Sequence, residues 1–532
     1  MSPSNAAPAD GTLNLETEVL VIGGGVTGSG VMRDLALRGI RCLLIDRRDL
    51  CAGASGGNHG LLHSGGRYVS TDPGAAVECA RENALLKRLV PQCIEDTGGL
   101  FVAVEGDDAE FATRFPALCA AAGVPCESVT TAEARRLEPR LSQRLIQAYR
   151  VPDAAIDPFH LAMENVDHAR QANGSEYRAH AEVRRFEIAD GEIRAAVCVD
   201  PRNGAEIVIR ARQYINAGGA WAMDIARLAG CRDVELRYAK GTILVHHERL
   251  AHHVVNRLRP PGDGDILVPG GTVSLLGTTS SRCDDLEHVV PTADEIDRNI
   301  GEGAAMVPTL AGGRYTRAFS RVRPLLVSAG TSDRAASRGF ALFDHQTQGL
   351  ANFCTITGGK LTTFRLMAEK TVDLVARRLG VDRPCATAEQ PLPRGAEGRW
   401  TEAGAAPRHW YRNADADDMI LCECEMVPRS AIDEIVAAAP DGAASVSLEA
   451  IALRSRVGKG PCQGAFCGIR VSSYLYDRGR YADATGLVKL REFLDERFKG
   501  QRTVIWGQQA AQIELAEAVH CGLMGLDALE DS

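Results

Sequence analysis

Residues 18–46 read EVLVIGGGVTGSGVMRDLALRGIRCLLID, and this stretch decides the fold class. Its first part, Glu18–Ile22, is a β-branched and apolar run that predicts a strand, followed at once by a glycine-rich turn. Val26–Arg38 then has helical spacing and ends at Gly39, a typical residue just past a helix. Arg41–Asp46 is a second predicted strand. Together they form one βαβ unit, which predicts an α/β protein with a Rossmann-like domain.

The turn has the spacing Gly23-x-Gly25-x-x-Gly28, which is typical of dinucleotide-binding folds. Gly23 permits a tight turn, Gly25 lets the backbone approach a pyrophosphate, and Gly28 lets helix and strand pack closely. The helix N-terminus offers N–H groups to the phosphates, and Asp46 can accept both hydroxyls of a ribose. A structural glycine turn beside a surface aspartate is the alternative interpretation. No second complete motif follows a strand, which argues against an NAD(P)H module and favours a bound flavin.

Composition excludes several classes of protein. The 532 residues suggest two to four domains, with ordinary globular usage of 45% apolar and 24% charged residues. A formal net charge of −9 argues against nucleic-acid binding. No apolar stretch approaches the about 18 residues of a membrane span. The first 15 residues lack the basic start and apolar core of a signal peptide, so we expect a flexible leader and a reducing compartment.

Hydrophobic periodicity divides the chain after the βαβ unit into three stretches. Helical patterns dominate from about residue 80 to 175, and short strands fill 180–285. Strands return around 314–380, before a helix that begins after Thr362. Alternation of strands and helices on this scale agrees with an α/β fold.

The last part of the chain has a different composition. Pro, Gly, Ala and charged residues dominate towards the end of 386–418, which we interpret as a linker. A compact segment, 419–480, follows, and 481–532 is predicted to be a helical tail. We call 419–480 the cysteine segment, because it holds four of the sixteen cysteines.

These four cysteines form two close pairs. Cys422 and Cys424 are separated by one residue, and Cys462 and Cys467 by four. Four thiols fit either zinc or a [2Fe–2S] cluster, and a C-x-C pair is unusual for structural zinc. Unliganded thiols are the third possibility. We expect the other twelve cysteines to be small buried apolar residues.

Five stretches together resemble the FAD-dependent glycerol-3-phosphate dehydrogenase family, within the wider D-amino-acid-oxidase-like group. They occur in the family's order and cover roughly 16–385. The stretches are VIGGGVTGSGVMRDLALRG (21–39), LLIDRRDLCAGASGGNHGLLHSGGRY (43–68), INAGGAWA (215–222), RVRPLL (321–326) and TGGKLTTFR (357–365). The resemblance implies FAD-binding parts at about 16–80, 150–225 and 340–380, with an inserted β-rich substrate domain at about 226–335.

The resemblance also implies three further groups of FAD contacts. They are the diphosphate loop (Asp49, Gly53 and Ser55), a second dinucleotide contact (Ala217, Gly218 and Gly219) and the turn beside the flavin pyrimidine edge (Gly358, Gly359, Lys360 and Leu361). The last group has a rationale of its own. A glycine pair that opens a helix directs N–H groups at the flavin N1–C2=O locus, where negative charge develops on reduction. A plain tight turn before a helix is the alternative.

Members of the resembling family place the HSGGRY residues at the flavin and substrate, which implies site roles for His63, Arg67 and Tyr68. Lys360 is implied to lie near the substrate oxygen. Oxidation of an alcohol moves a hydride from carbon to flavin N5 while the hydroxyl loses its proton. His63 can act as a base near neutral pH. Lys360 or Arg323 can hold the developing oxyanion.

Two arginines of the RVRPLL stretch, Arg321 and Arg323, fall on one face of a strand. Convergent guanidiniums can clamp a phosphate, and the resemblance implies that role for Arg323. We expect Arg314 and Arg317 to be surface charges. The chain has Ile243 where some quinone-linked relatives carry a site histidine, so a base cannot be transferred from those relatives.

The cysteine segment resembles the bacterioferritin-associated-ferredoxin-like [2Fe–2S] domain, which implies a small α-helical domain with Cys422, Cys424, Cys462 and Cys467 as ligands. Its second pair has a longer spacing than the commoner two residues. The resemblance as a whole implies oxidation of glycerol 3-phosphate by FAD, with electrons passing to partner subunits and a membrane quinone. The chain is then expected to be cytoplasmic, or peripheral on the cytoplasmic face of the inner membrane.

Two alternatives stay open at this point. One is an FAD-dependent oxidase or dehydrogenase of another small hydroxy or amino acid, in which Arg323 binds a carboxylate. The other is a non-catalytic assembly subunit whose partner carries the chemistry.

Overall fold

The computed structural model describes residues 12–326, 339–395, 398–439 and 446–529. Most of the predicted leader and parts of the predicted substrate domain, linker and tail lie outside the described residues. The helices of the described residues are α1 (Val26–Leu37), α2 (Pro73–Leu89), α3 (Ala109–Ala121), α4 (Thr131–Leu137), α5 (Pro158–Asn173), α6 (Ala222–Leu228), α7 (Ala293–Met306), α8 (Phe364–Leu379), α9 (Ala405–Asn413), α10 (Arg429–Ala437), α11 (Leu448–Leu453), α12 (Cys467–Asp477), α13 (Thr485–Gln501) and α14 (Gln508–Glu517).

The strands of the described residues are β1 (Leu13–Ile22), β2 (Cys42–Ile45), β3 (Leu61–Leu62), β4 (Ile94–Glu95), β5 (Gly99–Val104), β6 (Glu127–Val129), β7 (Leu145–Val151), β8 (Ala154–Ile156), β9 (Glu176–Arg178), β10 (Glu182–Ala189), β11 (Glu192–Val199), β12 (Glu206–Asn216), β13 (Leu236–His246), β14 (Val254–Arg257), β15 (Ile266–Gly270), β16 (Val273–Gly277), β17 (Ser281–Arg282), β18 (Tyr315–Leu326), β19 (Phe340–Asp344), β20 (Phe353–Gly358), β21 (Ile420–Cys422) and β22 (Val427–Pro428).

The first sheet contains the predicted βαβ unit. Its strand order is β10-β11-β12-β1-β2-β9, and β20 joins it between β12 and β19. β1 runs parallel to β2 and β12, and β12 runs parallel to β20. α1 packs against α5 and α8 over a core that includes the fully buried Val19, Val166 and Val372. The predicted α/β Rossmann-like fold is confirmed. β1 begins at Leu13, five residues earlier than predicted, because Leu13 already pairs with Ile207 of β12.

The second sheet lies mostly within the part of the chain predicted to be the substrate domain. Its order is β17-β13-β16-β15-β14-β5-β7-β6, and β18 pairs with β13 on the far edge. β5 to β7 come from the stretch 80–175, which the helical patterns did not predict to contain strands. β5 is a fully buried apolar run of six residues, and periodicity does not separate such a run from part of a helix.

The C-terminal region has a core of its own. Its buried side chains include Ile432 and Val471 of the cysteine segment and Phe493 of the helical tail. Trp400, which is 2% exposed, belongs to the same core although it comes from the predicted linker. The division into domains proposed from the sequence stays a prediction.

Several polar contacts attach this region to the catalytic part. Arg454 forms an ion pair with Asp49 at 2.7 Å, and Glu496 of α13 forms one with Arg321 of β18 at 3.1 Å. Thr272 donates a hydrogen bond to Glu425 at 2.6 Å. Within the described ranges, the helices are all too short or too polar to cross a bilayer.

Candidate active site

One cavity of about 570 Å³ lies at the carboxyl ends of β1, β2, β12 and β20. This is the edge at which open α/β sheets bind nucleotides. All but two of the residues predicted to contact flavin or substrate line it. These residues are Gly23, Gly25, Asp46, Gly53, Ser55, His63, Arg67, Tyr68, Ala217, Gly218, Gly219, Arg323, Gly358, Gly359, Lys360 and Leu361. We call this space the flavin cavity.

Gly28 and Asp49 are the two exceptions. A Cβ atom at Gly28 would overlap the carbonyl oxygen of Gly23, so this glycine permits the close approach of helix and strand. Asp49 lies on the wall of a neighbouring cavity instead. It accepts hydrogen bonds from Tyr177 at 3.0 Å and from Arg454 at 2.7 Å. Burial raises its pKa, but the charge and hydrogen bond of Arg454 outweigh that effect and hold the pKa below its ordinary value.

The dinucleotide end of the flavin cavity is fixed mainly by backbone. Gly23 has a φ of 113°, and a Cβ atom there would overlap the carbonyl of Ala217. The N–H of Val26, the first residue of α1, donates to Ser55 Oγ at 3.1 Å. Asp46 accepts from the N–H groups of Gly24 and Arg48 at 2.7 and 2.8 Å. These bonds orient the Asp46 carboxylate, although burial raises its pKa.

The opposite end contains the glycine pair. Gly358 and Gly359 both have left-handed φ values, of 83° and 72°, where other residues are strained. A Cβ atom at Gly359 would overlap Sδ of Met367. The chain therefore turns sharply after β20, places Lys360 at the cavity and continues through Thr362 into α8.

The polar side chains of the cavity surround His63. Its Nε2 lies 3.2 Å from the hydroxyl of Tyr68, and its backbone N–H donates to Oγ1 of Thr362 at 3.0 Å. Nζ of Lys360 lies 5.1 Å above the centre of the Tyr68 ring. Histidine, tyrosine and lysine thus form one contact cluster, which sequence reasoning had assigned to flavin and substrate.

The two site arginines are held by groups of the second sheet. Arg323 donates to the carbonyl of Thr279 at 2.8 Å and to Oγ1 of Thr278 at 3.3 Å. Arg67 donates to the carbonyl of Gly262 at 3.2 Å and lies 3.5 Å from Asp265. Both guanidiniums therefore face the cavity in fixed orientations.

Sequence reasoning missed His59, which also lines the cavity. Its Nδ1 is buried and has no hydrogen-bond partner among the described residues. Its ring centre lies 6.3 Å from that of His63. Burial, together with the charges of Arg67 and Arg323, lowers its pKa to about 3, so the imidazole is neutral. The sequence could have indicated this role, because His59 begins the run HGLLHSGGRY that also contains His63, Arg67 and Tyr68.

Arg314 and Arg317 differ from one another. Arg314 is exposed, as predicted, whereas the Arg317 side chain is only 13% exposed. The expectation of a surface charge is therefore wrong for Arg317, because α13 covers this part of β18. Ile243, which stands where some quinone-linked relatives carry a site histidine, lines the flavin cavity. The nearest histidines on the same strand and just after it, His246 and His247, do not line the cavity.

The four predicted cysteine ligands lie together. Sγ of Cys424 is 3.9 Å from that of Cys422 and 3.6 Å from that of Cys462. Two thiolates on one tetrahedral ion are about 3.8 Å apart, given metal–sulfur bonds of about 2.3 Å, so the four-thiol donor set fits a soft metal centre. Neighbouring thiols and the N–H groups of Gly464 and Phe466 lower the pKa of Cys462. No group of three or more potential ligands in the described part of the chain already has metal-site geometry.

Comparison with known proteins gives three kinds of similarity. The FAD dependent oxidoreductase family matches residues 18–374. The chain is 40% identical to an anaerobic glycerol-3-phosphate dehydrogenase subunit of Escherichia coli (strain K12), over 96% of this chain and 97% of that protein. It is 37% identical to an anaerobic glycerol-3-phosphate dehydrogenase subunit of Haloferax volcanii, over 96% of this chain and 91% of that protein.

Solved structures share the fold at lower identity. The glycerol-3-phosphate dehydrogenase from Bacillus halodurans complexed with FAD has a TM-score of 0.65 and 20% identity, covering 92% of this chain and 96% of that one. The FAD-bound L-alpha-glycerophosphate oxidase from Mycoplasma pneumoniae has a TM-score of 0.54 and 19% identity, covering 71% of this chain and 99% of that one.

Proposed function

The chain belongs to the FAD dependent oxidoreductase family, and we propose that it oxidises sn-glycerol 3-phosphate to dihydroxyacetone phosphate. The observation that carries the proposal is a near full-length match to proteins named for this dehydrogenase, at 37–40% identity. A cavity of about 570 Å³ supports it, because its lining includes Arg67, Arg323, Lys360, His59 and His63.

The residues of the flavin cavity fit FAD. Gly23, Gly25 and the start of α1 would face the diphosphate, Asp46 would face the ribose, and Gly358 with Gly359 would face the flavin. When bound, FAD supplies an acceptor for a hydride and stays with the protein. The absence of a side chain at Gly23 supports this fit, because it lets the glycine-rich turn lie directly against Ala217 and Gly218, the second predicted dinucleotide contact.

Arg323 is the proposed phosphate-binding residue. Its bonds to Thr279 and Thr278 fix the guanidinium plane, so that ordering it costs little when an anion arrives. A guanidinium can give two parallel charge-assisted hydrogen bonds to a phosphate. Arg67, held by the buried Asp265, adds positive charge on the same side of the cavity.

His63 is the proposed acceptor of the hydroxyl proton. Tyr68 and Thr362 hold its ring and backbone in place. Lys360 lies next to Tyr68, where its ammonium can stabilise the oxygen as it loses its proton. The walls around this cluster limit access of water, because His63 is only 9% exposed.

We further propose that Cys422, Cys424, Cys462 and Cys467 hold a [2Fe–2S] cluster. Such a cluster would supply one-electron chemistry between the flavin and partner subunits that reduce a membrane quinone. The contacts among the thiols support a shared metal centre, and zinc is the alternative that metal analysis distinguishes. Partner subunits on the cytoplasmic face of the inner membrane would then locate this chain there.

The test is anaerobic addition of glycerol 3-phosphate to the flavin-loaded protein, with flavin absorbance followed over time. We expect bleaching that saturates with substrate, and none with a panel of hydroxy and amino acids. In Arg323→Ala the half-saturating concentration should rise about 100-fold, because two hydrogen bonds to a charged group are lost. Arg314→Ala removes an exposed arginine of the same region and should change it less than twofold.

Three outcomes would contradict the proposal. They are a purified protein that cannot be made yellow with FAD, bleaching by an amino or hydroxy acid in place of glycerol 3-phosphate, and unchanged saturation in Arg323→Ala. Arg323→Lys, which keeps the charge, should fall between the wild type and Arg323→Ala. Flavin content measured in each variant separates lost substrate binding from lost cofactor.

A further inference from the structure

A second cavity, of about 1800 Å³, lies between the catalytic part and the C-terminal region. We call it the interdomain cavity. Arg48, Arg202 and Thr485 on its rim are exposed, so solvent reaches it. Asn58, His59 and Arg321 line both this cavity and the flavin cavity, so the two cavities are neighbours that share these side chains.

Strand β18 runs from one cavity to the other. Ala318, Ser320 and Val322 are buried on one face of this strand. The other face carries Arg317, Phe319, Arg321 and Arg323. Arg317 and Arg321 line the interdomain cavity, and Arg321 and Arg323 line the flavin cavity. At about 3.3 Å per residue, this row of arginines spans about 20 Å.

Arg317 carries a charge that its surroundings balance poorly. Its Nε is buried and has no hydrogen-bond partner in the described part of the chain. The carboxylate of Glu496, its ion-pair partner, is 3.9 Å away. Burial and the charges of Arg497 and Arg321 hold the pKa of Arg317 well below its ordinary value. An anion beside Arg317 would relieve this repulsion.

Arg321 is the arginine that belongs to both cavities. A Cβ atom at Gly57 would overlap its Cγ, so the glycine lets the side chain lie directly on the diphosphate loop. Its guanidinium is bonded to Glu496 at 3.1 Å. The wall opposite β18 is α13, which contributes Glu492, Asp495 and Glu496. An incoming anion would therefore follow β18 and compete with Glu496 for Arg321.

We propose that the interdomain cavity is the access vestibule for a phosphorylated anionic substrate, and that Arg317 and Arg321 pass this anion along β18 to Arg323. The identity of that substrate rests on the proposed function. The vestibule itself rests on the residues that the two cavities share and on the row of arginines along β18. Glu496 acts as a competing carboxylate that keeps Arg321 from retaining the anion.

The test is rapid anaerobic mixing of the holoenzyme with glycerol 3-phosphate. It measures the second-order rate constant of flavin reduction and the saturating rate separately. At low ionic strength we expect Arg317→Gln to lower the second-order constant about three- to tenfold, because it removes a positive charge that attracts the anion on its way along β18. The effect should shrink in high salt. Arg317→Lys should restore most of the constant, and Glu496→Gln should raise it.

The opposite signs of the Arg317→Gln and Glu496→Gln effects separate steering from structural damage, which would lower both rate constants. Arg314→Gln is the matched control, since it removes one exposed positive charge next to β18, and it should stay within twofold. An unchanged constant in Arg317→Gln, or a decrease in Glu496→Gln that equals the decrease in Arg317→Gln, would overturn the vestibule.

A second measurement is independent of turnover. Inorganic phosphate is titrated into the holoenzyme, and binding is followed by calorimetry. We expect Arg317→Gln to weaken a phosphate site that Arg323→Ala leaves in place. If glycerol 3-phosphate does not reduce the flavin of the wild type, the proposed function fails. The phosphate titration still tests whether the interdomain cavity binds anions at Arg317. Identical isotherms for wild type and Arg317→Gln would reject that proposal.

Discussion

The flavin cavity and the cysteine segment fix their chemistry in different ways. The shape of the flavin cavity is set mainly by the backbone. It depends on glycines such as Gly23 and Gly359, whose φ values and close contacts tolerate no side chain. In the cysteine segment, the proposed site depends on four side chains, and two of the thiol–thiol distances are 3.9 and 3.6 Å. A site fixed by backbone persists without its ligand, whereas a site of thiols is completed by its metal.

The largest effect that tests this contrast is expected from Gly23→Ala. Its Cβ atom would overlap the backbone of Ala217, in a turn with a φ of 113°. We expect the flavin-to-protein ratio after purification to fall at least about tenfold, since a left-handed conformation costs about 1–2 kcal/mol before any clash. Gly123→Ala is the matched control. Gly123 has a φ of 68° and open space around it, so the substitution should cost stability without loss of flavin.

The second prediction concerns the thiols. Cys462→Ser should lower bound iron and acid-labile sulfide about tenfold or more, because a hydroxyl is a poor ligand for a soft metal. The flavin content should stay the same, since Cys462 lies outside the flavin cavity. Elemental analysis and flavin absorbance on one sample measure both. Cys521→Ser, in the tail, should retain the metal, and a variant of Cys462 that keeps its full metal content would contradict the assignment.

An intermediate effect is expected from His59 in the flavin cavity. The unfolded chain protonates this histidine below its ordinary pKa of 6.5, whereas the folded protein does so only near a pKa of about 3. The neutral, buried imidazole therefore costs the folded protein no stability above pH 6.5. As the pH falls from 6.5 towards 3, protonation of the unfolded chain lowers the free energy of unfolding by up to about 1.4 kcal/mol per pH unit. Between pH 6.5 and 5, the free energy of unfolding should therefore fall by about 2 kcal/mol less in His59→Gln than in the wild type.

Urea unfolding of the flavin-loaded protein, followed by flavin release at several pH values, measures this difference. His288→Gln, at a side chain that is 88% exposed, should leave the pH dependence as in the wild type. Equal slopes for wild type and His59→Gln would show that the buried imidazole contributes nothing to acid sensitivity.

The smallest effect should come from the contact between the two regions. The ion pair of Asp49 and Arg454 joins side chains that are 21% and 13% exposed. In a double-mutant cycle with Asp49→Asn and Arg454→Gln, we expect a coupling energy of about 1 kcal/mol, as for a partly screened pair. Thermal unfolding of the four proteins gives this energy. A coupling indistinguishable from zero would mean that this ion pair adds nothing to the attachment of the two regions.

The parts of the fold that are dictated by backbone were predictable from sequence. The strand, turn and helix at the start of the chain could be predicted from Gly23, Gly25 and Gly28, because few other residues allow the backbone to take that path. The end of the helix could be predicted from Gly39, which has a φ of 79°. The predicted contacts of Lys360 and Arg323 depended on resemblance to a family, since neither residue has a local signature.

Contacts between distant segments were not predictable. Asp49 was assigned to the diphosphate loop on resemblance, yet its partner Arg454 comes from the other end of the chain. Arg317 is of a residue type that usually lies on the surface. It is covered here because α13, a distant part of the chain, packs on β18. His59 was missed for a similar reason, because Arg323, one of the two charges that lower its pKa, comes from a distant part of the chain.

The pairing of β1 with β12 has a consequence for how this protein is made. Ile22 pairs with Asn216, so the first strand leaves the ribosome 194 residues before its neighbour. At about 5–20 residues per second, that interval is about 10–40 s. During it, the apolar strand can pair on only one edge, with β2. Nascent chains would then depend on chaperones early, and cofactor loading would have to follow translation of β20 and Gly359.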